Sequence, residues 1–562
     1  MIRGGARSRA IFLGAVLVLT VGSALAPVTM SSAATPPLTT TQADLTSVVS
    51  AAPSACAPAV HAATDALATH KIDDEVQIGS TMFAVGSFDS ATPIACSTHV
   101  AATPVPRTNV MSFDAASGAL TSFAPKINGE VWAVLPSYTQ TMVYLCGSFT
   151  TADGVARTGL AKYSVSTGQL DPNFDAHLDG ACSDIVFVAG RLVVMGSFKH
   201  VGTTARTAIA YIGQTTGATD AGAGYFGGTA VGANVIGGKA VGVTRIYRGF
   251  ANPAGTALIV IGNFGTVGGV KRHQIAMITV GATAATLAPW YNTGFDFLCK
   301  FSNGVYDSWL RDIAWSPTGA FFVVAGTGSA HASSFCDSIL RFEYAPTNAN
   351  QAPTWHMYTD GDTIHSVVVT SAAVYYAGHM RYIDKTGPIF PGQAIPDGSP
   401  CDPNNPSLGT SGPSNGRQIN YYGYNCPTRT ATYRPGIGAL NPATGAPLSW
   451  DPTRTRNEGA KSLYVSTNPA GLWVGSDGQS AGCAAPAGPN HDDCTGQNPL
   501  FVGGDAFFPL AKPAPVTTAP PTTAPSTTTT APAATAPTTT ASSTTTTAPT
   551  TTAQVTTTAT GP

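Results

Sequence analysis

The sequence predicts an all-β protein: a seven-bladed β-propeller of four-stranded antiparallel blades, followed by a disordered Thr/Pro-rich tail. Three observations carry this reading. Charged residues make up 10% of the 562 residues, against roughly 25% in an average soluble domain, which argues against charged surface helices and coiled coils. Glycine (60) and proline (42) are abundant, as in a chain made of short strands and turns. Between its two ends the chain repeats one strand-rich unit seven times, and no unit holds an amphipathic stretch long enough for a stable helix.

The first element is a basic n-region (Arg3, Arg7, Arg9) and an apolar run from Ala10 to Ala26. This reads as a secretory signal over residues 1–34, cleaved after Ser32-Ala33-Ala34, because Pro27 disfavours cleavage after Ala26. No Cys follows the run, so a lipoprotein is not expected, and no stable membrane insertion is expected after cleavage. Residues 35–70 form an N-terminal segment. The propeller is placed at 71–511, with an insertion at 384–433. The tail, 512–562, is rich in Thr, Pro and Ala and cannot bury a core.

Within the propeller, a short apolar strand ending in a small-residue break recurs as AVGSF (84–88), LCGSF (145–149), MGSF (195–198) and IGNF (261–264). Weaker copies are VAGTG (324–328), YAGHM (376–380) and VGSDG (474–478). Each is followed by a second element, often opened by arginine: Arg107, Arg157, Arg206, Arg272 and Arg434. A Gly turn with an aromatic and proline comes third (STGQLDPNFD, ATGAPLSWDP), and an Asn/Asp-Gly turn with an apolar strand fourth (NGEVWAVLP, TDGDTIHSVVV). Several of these strands are apolar on both faces, so the sheet needs neighbours on both sides, and radially packed blades supply them. A linear array of sandwich domains fits less well, because one such unit is too small to hold its own core. The seventh unit stops at AFFPLA (506–511). Either the segment before residue 71 supplies its missing edge strand, or that blade has three strands.

The G-S-F-T-x-x-x-G-x-x-R-x-x-L/I-A strings, from Gly147 to Ala161 and in variant form from Gly196 to Ala210, resemble secreted bacterial propellers with delta-60-type repeats. The Thr-Gly turns followed by tryptophan, best seen in Thr444-Gly445 with Trp450, resemble the docking turns of quinoprotein-like propellers related at fold level to WD40-like ones. The resemblance implies the fold and no particular activity. The adjacent Cys-Cys pair of quinoprotein dehydrogenases is lacking.

Ten cysteines (Cys56, Cys96, Cys146, Cys182, Cys299, Cys336, Cys401, Cys426, Cys483, Cys494) include no C-x-x-C pair. Disulfides in an oxidising compartment are the economical reading. Pairing in chain order is expected, because it staples the long connections that share one face of the propeller. Those connections are aromatic: Trp290, Tyr291, Tyr306 and Trp309 in one, Tyr421, Tyr422 and Tyr424 in the insertion. These seven are the expected ligand-binding residues, offering rings to a sugar or a protein; the bland alternative is local packing. The repeated arginines, by their fixed place in each unit, are expected to bond loop carbonyls or a carboxylate rather than form an anion-binding ring. Acidic residues near the first strand of each unit (Asp73, Asp74, Glu130, Asp184, Asp312, Asp362, Glu458) are expected to be solvated rim charges of the central channel.

Catalytic motifs are poor. There is no H-E-x-x-H and no P-loop, and the two G-x-S-x-G strings (412–416 and 478–482) sit in Gly/Pro loops without opening a helix. His356, His365 and His379 lie in one unit without metal-ligand spacing. No cofactor and no metal are expected. A net charge of −2 gives no footprint for nucleic acid. The expected protein is thus a monomeric, non-enzymatic propeller, secreted or cell-wall-associated, that binds an extracellular glycan or protein through its stapled loop face. The alternative is an extracellular hydrolase or lyase acting on polysaccharide with channel-mouth carboxylates.

Overall fold

The computed structural model describes residues 43–54, 57–61, 70–93, 103–219, 225–301, 304–328, 334–359, 363–380, 382–384, 432–434, 436–452, 459–477, 480–481, 500–501 and 504–510. Among these residues the regular structure is all β, apart from one 3-10 turn at Thr293–Asp296. No helix among them is long and apolar enough to cross a membrane. Cys56, Cys96, Cys401, Cys426, Cys483, Cys494, Tyr421, Tyr422 and Tyr424, with the signal segment and the tail, lie outside the described residues.

The repeats fold into successive antiparallel meanders. Sheet 1 is Lys71–Ile78, Thr81–Ser87 and Val110–Asp114; sheet 2 is Val131–Pro136, Met142–Gly147 and Leu160–Ser164. Sheet 3 is Cys182–Val188, Arg191–Gly196 and Ile209–Ile212; sheet 4 is Arg245–Ala251, Ala257–Asn263, Ile275–Val280 and Ala285–Leu287. Sheet 5 is Leu310–Trp315, Phe321–Gly326, Ser338–Glu343 and Trp355–Thr359. Sheet 6 is Ile364–Val369, Val374–Gly378 and Ile437–Leu440; sheet 7 is Ala460–Thr467, Ala470–Ser476 and Asp505–Pro509. The first strand of each sheet contacts that of the next, and the first strand of sheet 7 contacts that of sheet 1. Antiparallel sheets closed into such a ring make a β-propeller.

The core lies between the sheets rather than at the centre of the ring. Phe83 and Val85 of sheet 1 pack with Val134 and Leu145 of sheet 2. The same arrangement continues around to Trp473 and Phe507 of sheet 7, which pack with Ile72 and Met82 of sheet 1. Both faces of each sheet are therefore buried, which explains strands without polar alternation.

Two sequence signals acquire physical reasons here. At Gly86, Gly147, Gly196, Gly262 and Gly378, on the second strand, an added β-carbon would meet the carbonyl oxygen of Lys71, Glu130, Ala181, Arg245 or Thr363, the first residue of the first strand or the one just before it. Only glycine permits that approach. The repeated arginines bond carbonyls, as expected: Arg107 donates to Pro106 and Thr121, Arg272 to Lys271 and Ala288, and Arg157 also pairs with Asp175 at 3.0 Å.

Strand number departs from expectation. Four strands form a continuous ladder in sheet 4, and sheet 5 grows to six by adding Tyr382–Asp384 and Thr432–Tyr433 at the base of the insertion. In sheets 1, 2, 3 and 6 the fourth segment makes a single bridge: Phe113 with Leu120, Tyr163 with Leu170, Ile212 with Thr219, Leu440 with Pro447. In sheet 6 the bridging residue is itself a proline, Pro447, which has no N–H to give a ladder. Sheet 7 takes its outer edge from the N-terminal segment. Ser50 N–H donates to Pro509 O at 2.8 Å and Ser54 N–H to Phe507 O at 2.7 Å. Leu45 and Val49 join the apolar cluster between sheets 6 and 7, and Ala57 and Val60 the cluster between sheets 7 and 1.

Candidate functional site

Every first strand carries a β-bulge near its start, where the register with the second strand shifts by one residue. The bulged tripeptides are Ile72-Asp73-Asp74, Val131-Trp132-Ala133, Cys182-Ser183-Asp184, Ile246-Tyr247-Arg248, Leu310-Arg311-Asp312, Ile364-His365-Ser366 and Ala460-Lys461-Ser462. A bulge turns an extra residue out of the ladder and re-aims its side chain. Here the middle residues of five consecutive sheets, Asp73, Trp132, Ser183, Tyr247 and Arg311, line one bowl of about 550 Å³. Arg245, Arg248, Leu310 and the run Tyr306-Asp307-Ser308 complete it.

The bowl lies on the stapled face. Both expected disulfides within the described residues are formed: Cys146–Cys182 joins sheets 2 and 3 beside Ser183, and Cys299–Cys336 clamps the connection that carries Tyr306. Tyr306 N–H donates to Cys299 O at 2.9 Å. The buried amide oxygen of Gln274 accepts from Ser308 Oγ and from the N–H groups of Trp309 and Leu310, holding the rim at the start of sheet 5.

This arrangement corrects the expectation for the aromatic connection. Trp290, Tyr291 and Trp309 are not offered to solvent: Trp290 and Trp309 are fully buried and Tyr291 nearly so. They pack with Phe295, Phe322 and Phe342 between sheets 4 and 5, and Trp309 Nε1 donates to Phe297 O at 2.8 Å. The cause is the apolar area of the connection itself, which folds back as a small core. Of the described residues expected to bind, Tyr306 alone lines the bowl.

Below the bowl lies a second cavity of about 580 Å³, and Arg248 lines both. Five of the seven residues after the bulge line it: Asp74, Arg248, Asp312, Ser366 and Ser462. Asp74 accepts from Val134 N–H of the next sheet at 2.9 Å, Asp184 from Gly249 N–H at 2.7 Å and Asp312 from Val367 N–H at 2.8 Å. Alternate sheets are thereby latched to their successors around Arg248, whose Nε is 3.9 Å from Asp312. These carboxylates are latches and not solvated rim charges, which corrects the earlier expectation. Burial raises Asp184 to about 7 and Asp312 to about 6, against the pull of Arg248. Burial would push the guanidinium of Arg248 down, but Asp312, Asp74 and Asp184 together hold it above its ordinary value. Asp73 in the bowl is likewise raised to about 7 by burial, although Lys71 at 3.3 Å pulls it down. Asp362 and Glu458 lie outside the described residues.

Among the described residues no group of His, Cys, Asp and Glu has the geometry to hold a metal ion. His356 is bonded to Ser338 Oγ at 2.7 Å and pushed down to about 4 by burial. The G-x-S-x-G strings fall outside or only partly inside the described residues.

Trp132, Arg245, Tyr247 and Arg311 escaped sequence reasoning. For Trp132, Tyr247 and Arg311 the signal is the tripeptide alignment, in which an apolar residue precedes a central position that differs in all seven copies; Arg245 precedes its tripeptide and carries no such signal.

No protein-family model matches this chain, and no curated protein matches it. Solved structures do match. One is the β-propeller domain of Myceliophteria thermophila Cps50 (Swd1), 10% identical, covering 55% of this chain and 93% of that one, with a TM-score of 0.33.

Proposed function

We propose that the chain is a secreted or cell-surface-associated, non-enzymatic propeller of seven blades that binds a glycan or protein ligand through its disulfide-stapled loop face. The observation that carries this reading is the bowl at the channel mouth. Rigid strands and a clamped connection deliver charged, hydroxyl and aromatic side chains to one concave surface, which is how binding sites are built. Two disulfides and the apolar N-terminal run support export. Purified mature chain titrated against glycan and cell-wall polymer libraries, and against extracellular proteins, tests the proposal. Saturable binding that is lost when bowl residues change is the expected result, and turnover of a polysaccharide without saturable binding would sink it.

One observation favours a hydrolase or lyase as the second reading. Two carboxylates, Asp73 and Asp307, line the same bowl, and Asp73 holds its proton up to about 7. A general acid needs a raised carboxyl of this kind. Polysaccharide turnover abolished by Asp73→Asn would establish that reading.

A further inference from the structure

We propose, on the reading that the loop face binds a glycan or protein, that the bowl takes an anionic saccharide, whose carboxylate or sulfate is held by Arg245 and Arg311 and whose ring lies on Trp132.

The charge account of the bowl leads there. Arg248 is answered from below by Asp74, Asp184 and Asp312. Asp73 is answered by Lys71 at 3.3 Å. That leaves two guanidinium groups, Arg245 and Arg311, against the single carboxylate of Asp307. Neither arginine has a carboxylate within ion-pair distance among the described residues.

The two guanidinium groups are also held ready. Arg245 lies over the ring of Tyr247 at 4.4 Å and Arg311 over the ring of Tyr306 at 5.3 Å. Arg311 spends one nitrogen, Nη1, on the carbonyls of Ser308 and Leu310, at 3.1 and 3.2 Å. A guanidinium stacked on a ring keeps its in-plane N–H edge for an anion, and its planar fork suits a carboxylate or sulfate. Placing two such cations beside each other costs free energy in the folded chain unless something uses them. A bound anion is that use.

A saccharide fits better than an acidic peptide. Tyr247 and Tyr306 each have a face occupied by arginine, so Trp132, half-buried in the lining of the bowl, is the ring left for stacking. Ser183 and Asp307 offer a hydroxyl and a carboxylate suited to sugar hydroxyls. The volume of about 550 Å³ suits a small number of sugar rings.

The test is calorimetric titration of the mature full-length chain with four oligomers: oligogalacturonate, sulfated dextran, neutral dextran and oligoglutamate. One or both acidic saccharides should bind saturably, with affinity falling as salt rises, and neutral dextran and oligoglutamate should not. Which acidic saccharide binds tighter distinguishes carboxylate from sulfate. Arg245→Gln should weaken binding by about tenfold or more, with an unchanged melting temperature, because this side chain holds no backbone group. Arg311→Gln should do the same; should it lower the melting temperature, Arg245→Gln and the salt dependence decide. Equal binding of neutral and acidic dextrans, tighter binding of oligoglutamate, or full affinity in Arg245→Gln would overturn the assignment while leaving a ligand on this face. Failure of all four probes would overturn it as well, and the wider library screen then decides the parent reading.

Discussion

In each first strand two neighbouring residues share one bulge and meet opposite demands. Of the residues after the bulge, at 74, 133, 184, 248, 312, 366 and 462, five (74, 248, 312, 366 and 462) line the cavity below the bowl. This position is Asp in sheets 1, 3 and 5, and each of these latches the N–H of the next sheet. The bulged residue itself, at 73, 132, 183, 247, 311, 365 and 461, carries a different side chain in every copy. Five of these seven line the bowl. One position is tied to its neighbours and is chemically repetitive. The other has little packing duty and is free to specialise. A ring of repeats thus separates its frame from its binding surface by a single residue step.

The strongest way to break the frame is to remove its closing segment. A chain lacking residues 43–61 loses the outer edge of sheet 7 together with buried Leu45, Val49 and Val60. At about 1.5–3 kcal/mol per buried aliphatic side chain, the three together contribute about 4.5–9 kcal/mol, comparable with the whole stability of a typical domain, about 5–15 kcal/mol. Such a chain should fail to melt cooperatively, or melt far below the intact protein in a calorimetric scan.

Next comes Gly196→Ala. The added methyl would press on the carbonyl oxygen of Ala181, just before the paired strand, and overpacking of this kind costs about 1–3 kcal/mol. Denaturant midpoints should record the loss, and Gly79→Ala offers a contrast of a different kind. At that turn a β-carbon meets nothing, and only the positive φ of 61° is strained.

Asp184 separates hydrogen bonding from charge. Asp184→Ala strands Gly249 N–H and removes a counter-charge of Arg248, and should cost about 2 kcal/mol. Asp184→Asn keeps an acceptor and should cost less. The same residues set a pH dependence. Burial raises Asp184 to about 7 and Asp312 to about 6, both above the ordinary 3.8. Their protons are therefore bound more tightly in the folded chain. The stability they contribute is complete below the unfolded value and is lost as pH rises through 6 and 7. Melting temperature should fall as the pH goes from about 5 to 8, and Asp184→Asn should flatten the decline.

The smallest stability effect belongs to the bowl. Trp132→Ser with Tyr247→Ser should shift the melting point little, because both side chains are only half-buried and lie outside the apolar clusters.

The repeat, its glycine and its arginine were legible because packing imposes them on most copies: Gly196 must clear Ala181, and Arg107 must reach Thr121. The stapling of Cys146 to Cys182 and of Cys299 to Cys336 was legible for a similar reason, since both pairs sit on shared connections. The site was not. Aromatic content pointed to Trp290 and Trp309, yet composition cannot tell a ring packed on its own loop from one facing a ligand. The bulge that aims Trp132 and Arg311 into the bowl is a backbone event without a residue signature of its own. It emerges only when the seven first strands are aligned on their hydrogen-bond register.

The most direct test of the separation between frame and surface is to compare the intact mature chain with Trp132→Ser/Tyr247→Ser on one glycan array, with melting curves recorded on the same samples. The account predicts equal melting temperatures and binding by the intact chain that the double variant loses. Unchanged binding by a folded double variant would contradict it.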